Sequence, residues 1–313
     1  MSPLSGERRI SAPLFSLEPD GSEERANSRR FALQVGPSSV ALEGGIDPDR
    51  WPLDVAHDRF IQGVAMPQVT LAVHCGATGS RRGSPAFKVG EIASLYRDGN
   101  SWTFCVGEEG VSSRADRVLT LDASGRTGTL ALDANRSPEL AHLYPLEYPL
   151  EDLLFRHLLS ERRALIVHGC GVVWKGEGYL FVGSSGSGKS TTARLWKAAG
   201  ASILNDDRIV VEASPERIII HPTPWFGEEL DVGDSPAPLT RLYLLRKGPQ
   251  VSFQPIRPAN AAALILAKSF PPLWDPDRTG RVLETLDSIC RKVPCGWLTV
   301  PPEHRAVGWV QET

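Results

Sequence analysis

The chain has 313 residues, 41% of them apolar and 23% charged, with a formal net charge of −3. That is the composition of a water-soluble globular protein, long enough for about two domains. Its charge supplies no attraction for nucleic acid or an anionic membrane, so neither is an expected partner.

The five cysteines, Cys75, Cys105, Cys170, Cys290 and Cys295, are scattered and form no C-x-x-C pair. Neither a zinc site nor a disulfide framework follows from them. No apolar run approaches the length of a membrane span. Near the start, Pro3, Glu7, Arg8 and Arg9 break up any signal-peptide segment. A cytoplasmic location with reduced thiols is the expectation.

Residues 1–30 carry Ser, Pro, Glu and Arg without periodicity, which reads as a flexible tail. Residues 31–140 show short alternating runs, such as 68–74 and 101–106. The runs 118–122 and 127–133 flank the turn Ala123-Ser124-Gly125-Arg126, which predicts a hairpin. This part is expected to be a mainly β N-terminal domain whose task is acceptor recognition. His57, His74 and Cys75 stand alone in it and read as core or surface residues rather than metal ligands.

Residues 138–149 look like a linker. Residues 150–159 place apolar side chains at helical spacing. Residues 164–174 then read as a strand pair with the small residues Gly169, Cys170 and Gly171 in the middle. Lys175-Gly176-Glu177-Gly178 turns the chain into the apolar run 179–182.

There follows Gly183-Ser184-Ser185-Gly186-Ser187-Gly188-Lys189-Ser190, a complete G-x-x-x-x-G-K-S phosphate loop, with Thr191 after it. Residues 192–199 are good helix formers and Gly200 ends them. Strand, loop and helix stand in the order the chemistry requires. Glycines let the backbone wrap a phosphate with no Cβ in the way, and the freed N–H groups form a nest at the positive end of a helix. Lys189 suits the β- and γ-phosphates, and Ser190 suits Mg²⁺.

Residues 201–204 lead to Asn205-Asp206-Asp207-Arg208, and 209–211 continue apolar. Carboxylates where an apolar strand runs out face the phosphates in nucleotide-binding α/β folds. There they can hold Mg²⁺ and accept a hydroxyl proton. Further on come a strand at 217–221, the loop Pro222-Thr223-Pro224-Trp225-Phe226-Gly227-Glu228-Glu229, and a strand at 240–246. A helix at 259–268, a longer amphipathic helix at 278–293 and a last strand at 296–300 complete the chain.

His168-Gly169 before the loop and Asp206-Asp207 after it resemble the HPr kinase/phosphorylase family, over about residues 150 to 305. The stretches 224–228, 268–275 and 293–295 resemble members encoded with modified-peptide gene cassettes, such as the SynChlorMet cassette protein ScmC and lasso-peptide kinases. The resemblance implies an α/β fold with a twisted, mostly β nucleotide domain at 150–313, similar to that of phosphoenolpyruvate carboxykinase. It implies an ATP-dependent kinase using Mg²⁺ and acting on a hydroxyl, most simply a serine of a peptide or small protein. Homo-oligomers, common in that family, are carried over as an expectation.

The same resemblance implies roles for residues. Gly183 to Thr191 would bind ATP. Lys189, His168, Asp206 and Asp207 would be catalytic, one aspartate accepting the hydroxyl proton. Ser190, Asp207 and Glu228 would contact the metal, with Glu229 competing for the last place. His168 would bond the γ-phosphate or an aspartate, and Arg208 an aspartate or the transferred phosphate. The family's Arg-Gly-rich loop after the acidic pair is replaced here by Pro224-Trp225-Phe226-Gly227. HPr itself is therefore not the expected acceptor, and the reverse reaction is in doubt. A small-molecule hydroxyl kinase and a non-catalytic ATP-binding regulator remain the alternatives.

Overall fold

A computed structural model describes residues 30–44, 55–61, 63–78, 83–107, 115–135, 138, 140, 143–225, 227, 233, 235–301, 308 and 310. All of the expected tail at 1–30 except Arg30, and both Glu228 and Glu229, lie outside the described residues. The described chain is mixed α/β and mostly sheet. Among the described residues no helix is long and apolar enough to cross a membrane.

The first sheet takes β1 (Phe31–Val35), β2 (Ser38–Gly44), β3 (Val69–Gly76), β4 (Phe87–Val89), β5 (Ala93–Asp98), β6 (Ser101–Val106), β7 (Arg117–Leu121) and β8 (Thr127–Asp133). Their order is β1-β2-β3-β8-β7-β6-β5-β4. Pairing is antiparallel except for β2–β3 and β3–β8, which are parallel. The expected hairpin is β7–β8, with Thr120 opposite Thr129. Asp122 caps its turn, accepting from Ser124 and Thr127 hydroxyls. A short helix, α1 (Val55–Asp58), lies between β2 and β3.

Helix α2 (Leu150–Glu161) packs between this sheet and the next. Its Leu153, Leu154, Phe155, Leu158 and Leu159 join Leu33, Leu71, Phe104 and Leu119 of the first sheet in one core. Ile166 and Val210 of the second sheet belong to the same core. The stretch expected as a linker contributes too, because Leu140, Tyr144 and Leu146 are buried there. Its prolines suggested a spacer, but its apolar side chains have a surface to cover.

The second sheet holds β9 (Ala164–Trp174), β10 (Glu177–Val182), β11 (Ser202–Asn205), β12 (Arg208–Ala213), β13 (Ile218–His221), β14 (Ala237–Lys247), β15 (Ser252–Pro255) and β16 (Cys295–Val300). The order is β10-β9-β12-β13-β14-β16-β15, with β11 on β9. Since β10 also pairs parallel with β14, strands β10, β9, β12, β13 and β14 close on themselves. Helices α3 (Lys189–Ala198), α4 (Pro258–Leu266) and α5 (Pro276–Lys292) complete this half. Strand β10 buries both faces, Leu180 and Val182 on one and Tyr179 and Phe181 on the other.

The expected strand pair at 164–174 is instead one continuous eleven-residue strand. Its small residues mark crowding, not a turn. A Cβ on Gly171 would stand 2.5 Å from Ile209 Cδ1, and one on Gly169 3.0 Å from the Phe181 carbonyl. Glycine in a strand interior often signals such close approach.

Candidate active site

The loop 183–188 joins β10 to α3, and α3 begins at Lys189. Two glycines of the loop are left-handed, Gly186 at φ 73° and Gly188, the N-cap, at φ 107°. L side chains rarely adopt those angles. Gly183 is required for space, since a Cβ there would overlap the Ser187 hydroxyl. The Ser187 amide donates to Ser184 O at 3.0 Å. Among the described residues its buried Oγ has no hydrogen-bond partner.

Lys189 folds back over the loop. Its Nζ donates to Gly183 O at 3.0 Å and Ser184 O at 3.3 Å. Burial lowers its pKa, against the opposing pull of Asp207.

The acidic pair sits between β11 and β12, and Asn205 builds the turn. Its Oδ1 accepts the amides of Asp207 (2.7 Å) and Arg208 (3.0 Å). Its Nδ2 donates to Trp225 O at 2.9 Å and to Thr223 O at 3.2 Å. One buried amide thus ties the acidic turn to the loop carrying Gly227. A Cβ on Gly227 would stand 2.6 Å from Asp206 Oδ1 and 3.1 Å from Asp207 Cβ. Backbone therefore lies directly over both aspartates. Asp206 is buried, whereas the Asp207 side chain is 33% exposed.

His168 stands on β9 opposite Arg208 of β12. Its backbone is fixed on the other side by Lys268, whose carbonyl accepts the His168 amide at 2.7 Å. The ring Nδ1 lies 3.1 Å from Asp207 Oδ1, and Arg208 Nε 3.5 Å from Asp207 Oδ2. Burial and the Lys189 charge lower the His168 pKa below 6.5, with Asp207 opposing. At 3.1 Å the ring, when protonated, is within ion-pairing reach of the carboxylate.

These groups share one cavity of about 590 Å³. Of the residues singled out from sequence, His168, Ser185, Gly186, Ser187, Gly188, Lys189, Ser190, Thr191, Asp206 and Asp207 line it. Gly183 and Ser184 take part through their carbonyls. Arg194, Lys247, Val300 and Pro301 also line the cavity, and sequence reading missed them. They come from α3, the end of β14 and the end of β16, which only the sheet order makes neighbours. Asn205 was legible in principle, because Asn before a turn commonly bonds the backbone two residues on.

The site suits a nucleotide with its magnesium. The cradle has a buried hydroxyl at Ser187 with no partner among the described residues, and Lys189 rests on carbonyl oxygens. Ser190, Asp206 and Asp207 offer hard oxygen donors. Among the described residues no three His, Cys, Asp or Glu side chains converge as a metal cage. Magnesium is usually held by one or two carboxylates plus substrate phosphates and water.

No family model matches the chain, and no curated protein matches it. Among solved structures it is similar to the Hpr(Ser) kinase/phosphatase from Coxiella burnetii. The identity is 13%, over 47% of this chain and 91% of that one, with a TM-score of 0.27. A likeness of that size does not establish a family.

Proposed function

We propose that this chain is an ATP-dependent kinase that transfers the γ-phosphate to a hydroxyl, the acceptor being a serine of a peptide or small protein. The observation that carries the reading is the shared cavity. A phosphate loop, its lysine and two aspartates, one of them 3.1 Å from His168 Nδ1, face the same space.

Phosphoryl transfer needs positioning and charge neutralisation more than covalent chemistry from the protein. Bound Mg²⁺ would neutralise phosphate charge and align the transferring group, held by Ser190 and a carboxylate of the acidic pair. The loop amides and Lys189 Nζ would bind the phosphates, Nζ exchanging two carbonyl oxygens for phosphate oxygens. One aspartate would accept the acceptor's hydroxyl proton at a carboxylate oxygen as the hydroxyl oxygen bonds the γ-phosphorus and the bond from that phosphorus to the β,γ-bridging oxygen breaks, ADP leaving with the electron pair. His168 would hold Asp207 in place across their 3.1 Å contact. The first sheet would present the acceptor.

The test incubates purified protein with labelled ATP, Mg²⁺ and peptides encoded by neighbouring genes, and reads a mass gain of one phosphate. Lys189→Ala and Asp206→Asn are each expected to abolish transfer with circular dichroism unchanged. Transfer retained by the double variant would refute the mechanism. Nucleotide binding without transfer to any acceptor would favour a regulatory nucleotide switch.

A further inference from the structure

Two adjacent carboxylates in the first turn of α2, Glu151 and Asp152, are buried. Neither lines the cavity. Burial raises the pKa of each, so they sit where an apolar side chain would be easier to accommodate. Asp152 is engaged by groups that lead to the candidate site.

Asp152 is gripped by two arginines. Arg208 Nη1 donates to its Oδ1 at 2.8 Å, and Arg156 pairs with its Oδ2. The two guanidinium groups also lie against one ring, Phe270, at 4.8 Å for Arg156 and 4.9 Å for Arg208. Arg208 in turn reaches Asp207. Asp152 thus sets where Arg208 sits, and Arg208 is beside the cavity's acidic pair.

Glu151 faces the other way. His57 Nε2, from the end of α1, lies 3.2 Å from its Oε2, and this contact favours the ionised form.

We propose that Asp152 is a positioning residue that holds the acidic turn through Arg208, while Glu151 beside it fastens the first turn of α2 to α1 through His57. Resting on the kinase reading, Asp152 would keep the base in register.

Loss of one carboxylate has a directed consequence. Without the Asp152 charge, Arg156 and Arg208 are left as neighbouring like charges beside Phe270. The carboxylate left to Arg208 is Asp207, where it competes with His168. Without the Glu151 charge, His57 loses that contact while Arg208 keeps its own.

The experiment compares Asp152→Asn, Glu151→Gln and the unchanged protein by amide hydrogen exchange, nucleotide titration and transfer kinetics. Asp152→Asn should speed exchange at the Asp207 and Arg208 amides by at least about tenfold, a local opening. Glu151→Gln should leave those two amides unchanged. Asp152→Asn should lower kcat, by up to roughly a hundredfold for a misplacement of about 1 Å, with nucleotide affinity unchanged, and Glu151→Gln should not lower it. Arg208→Gln should add little to Asp152→Asn, because the two act in series. Asp152→Glu should restore part of the rate.

Unchanged exchange at the Asp207 and Arg208 amides in Asp152→Asn would overturn the proposal. So would acceleration spread over all of α2 with a matching fall in melting temperature, since that is mere destabilisation. Absence of transfer in the unchanged protein would overturn the kinase reading instead. The exchange data would still decide the positioning role.

Discussion

Gly227→Ala tests the arrangement at its tightest point. The added methyl would stand 2.6 Å from Asp206 Oδ1 and 3.1 Å from both Asp206 Cγ and Asp207 Cβ. Carbon and oxygen rest at about 3.3 Å or more. The carboxylate or the loop must therefore move by about 0.7 Å. Asp206 has little room to yield, being buried at the end of β11. The loop is pinned through Trp225 O to Asn205. Displacing a catalytic group by about 1 Å costs roughly a hundredfold in rate, or about 2.7 kcal/mol of barrier. Stopped transfer assays would give kcat, and calorimetric titration the nucleotide affinity. The expected result is a kcat lowered by tens-fold to a hundredfold with affinity retained, because the phosphate loop is untouched. A kcat within experimental scatter of the unchanged protein, with the fold intact, would refute the assignment of Asp206 to the chemistry.

Trp196→Ala should destabilise the protein by about 3–5 kcal/mol, read from urea unfolding. Its fully buried ring stacks on Tyr179 at 5.5 Å and meets Trp174 at 6.2 Å. The buried His157 has its pKa driven well below 6.5, by burial first and the nearby Arg278 charge second. The unfolded chain therefore binds the proton more readily below pH 6.5. The stability this group contributes is complete above that value and falls with acidification, by up to about 1.4 kcal/mol per pH unit. Comparing denaturant unfolding of the unchanged protein with His157→Phe between pH 7 and pH 5 should show the shallower dependence in the variant. Parallel curves would remove His157 as a source of acid sensitivity.

Features demanded by local backbone chemistry were readable along the chain. The phosphate loop is contiguous, and its glycines answer needs met within eight residues. Gly186 and Gly188 are left-handed, and Gly183 yields space to Ser187. The β7–β8 hairpin and the helices α2 and α5 were likewise expected, since turn chemistry and apolar spacing are local signals. The acidic pair stood out because charge follows an apolar strand directly.

Tertiary structure decided everything that depends on separation in sequence. Glycines in β9 looked like a break between strands, and only the packing of Ile209 and Phe181 shows why they are small. Residues 138–149 looked like a spacer because proline and polar residues masked three side chains that the first core absorbs. The pairing of β10 with β14, about 60 residues away, brings Lys247 to the cavity. His57 meets Glu151 across 94 positions, and Arg208 meets Asp152 across 56. Composition and periodicity are blind to such pairs. A buried carboxylate reads in sequence like any charge on a helix, and only its surroundings show what it holds.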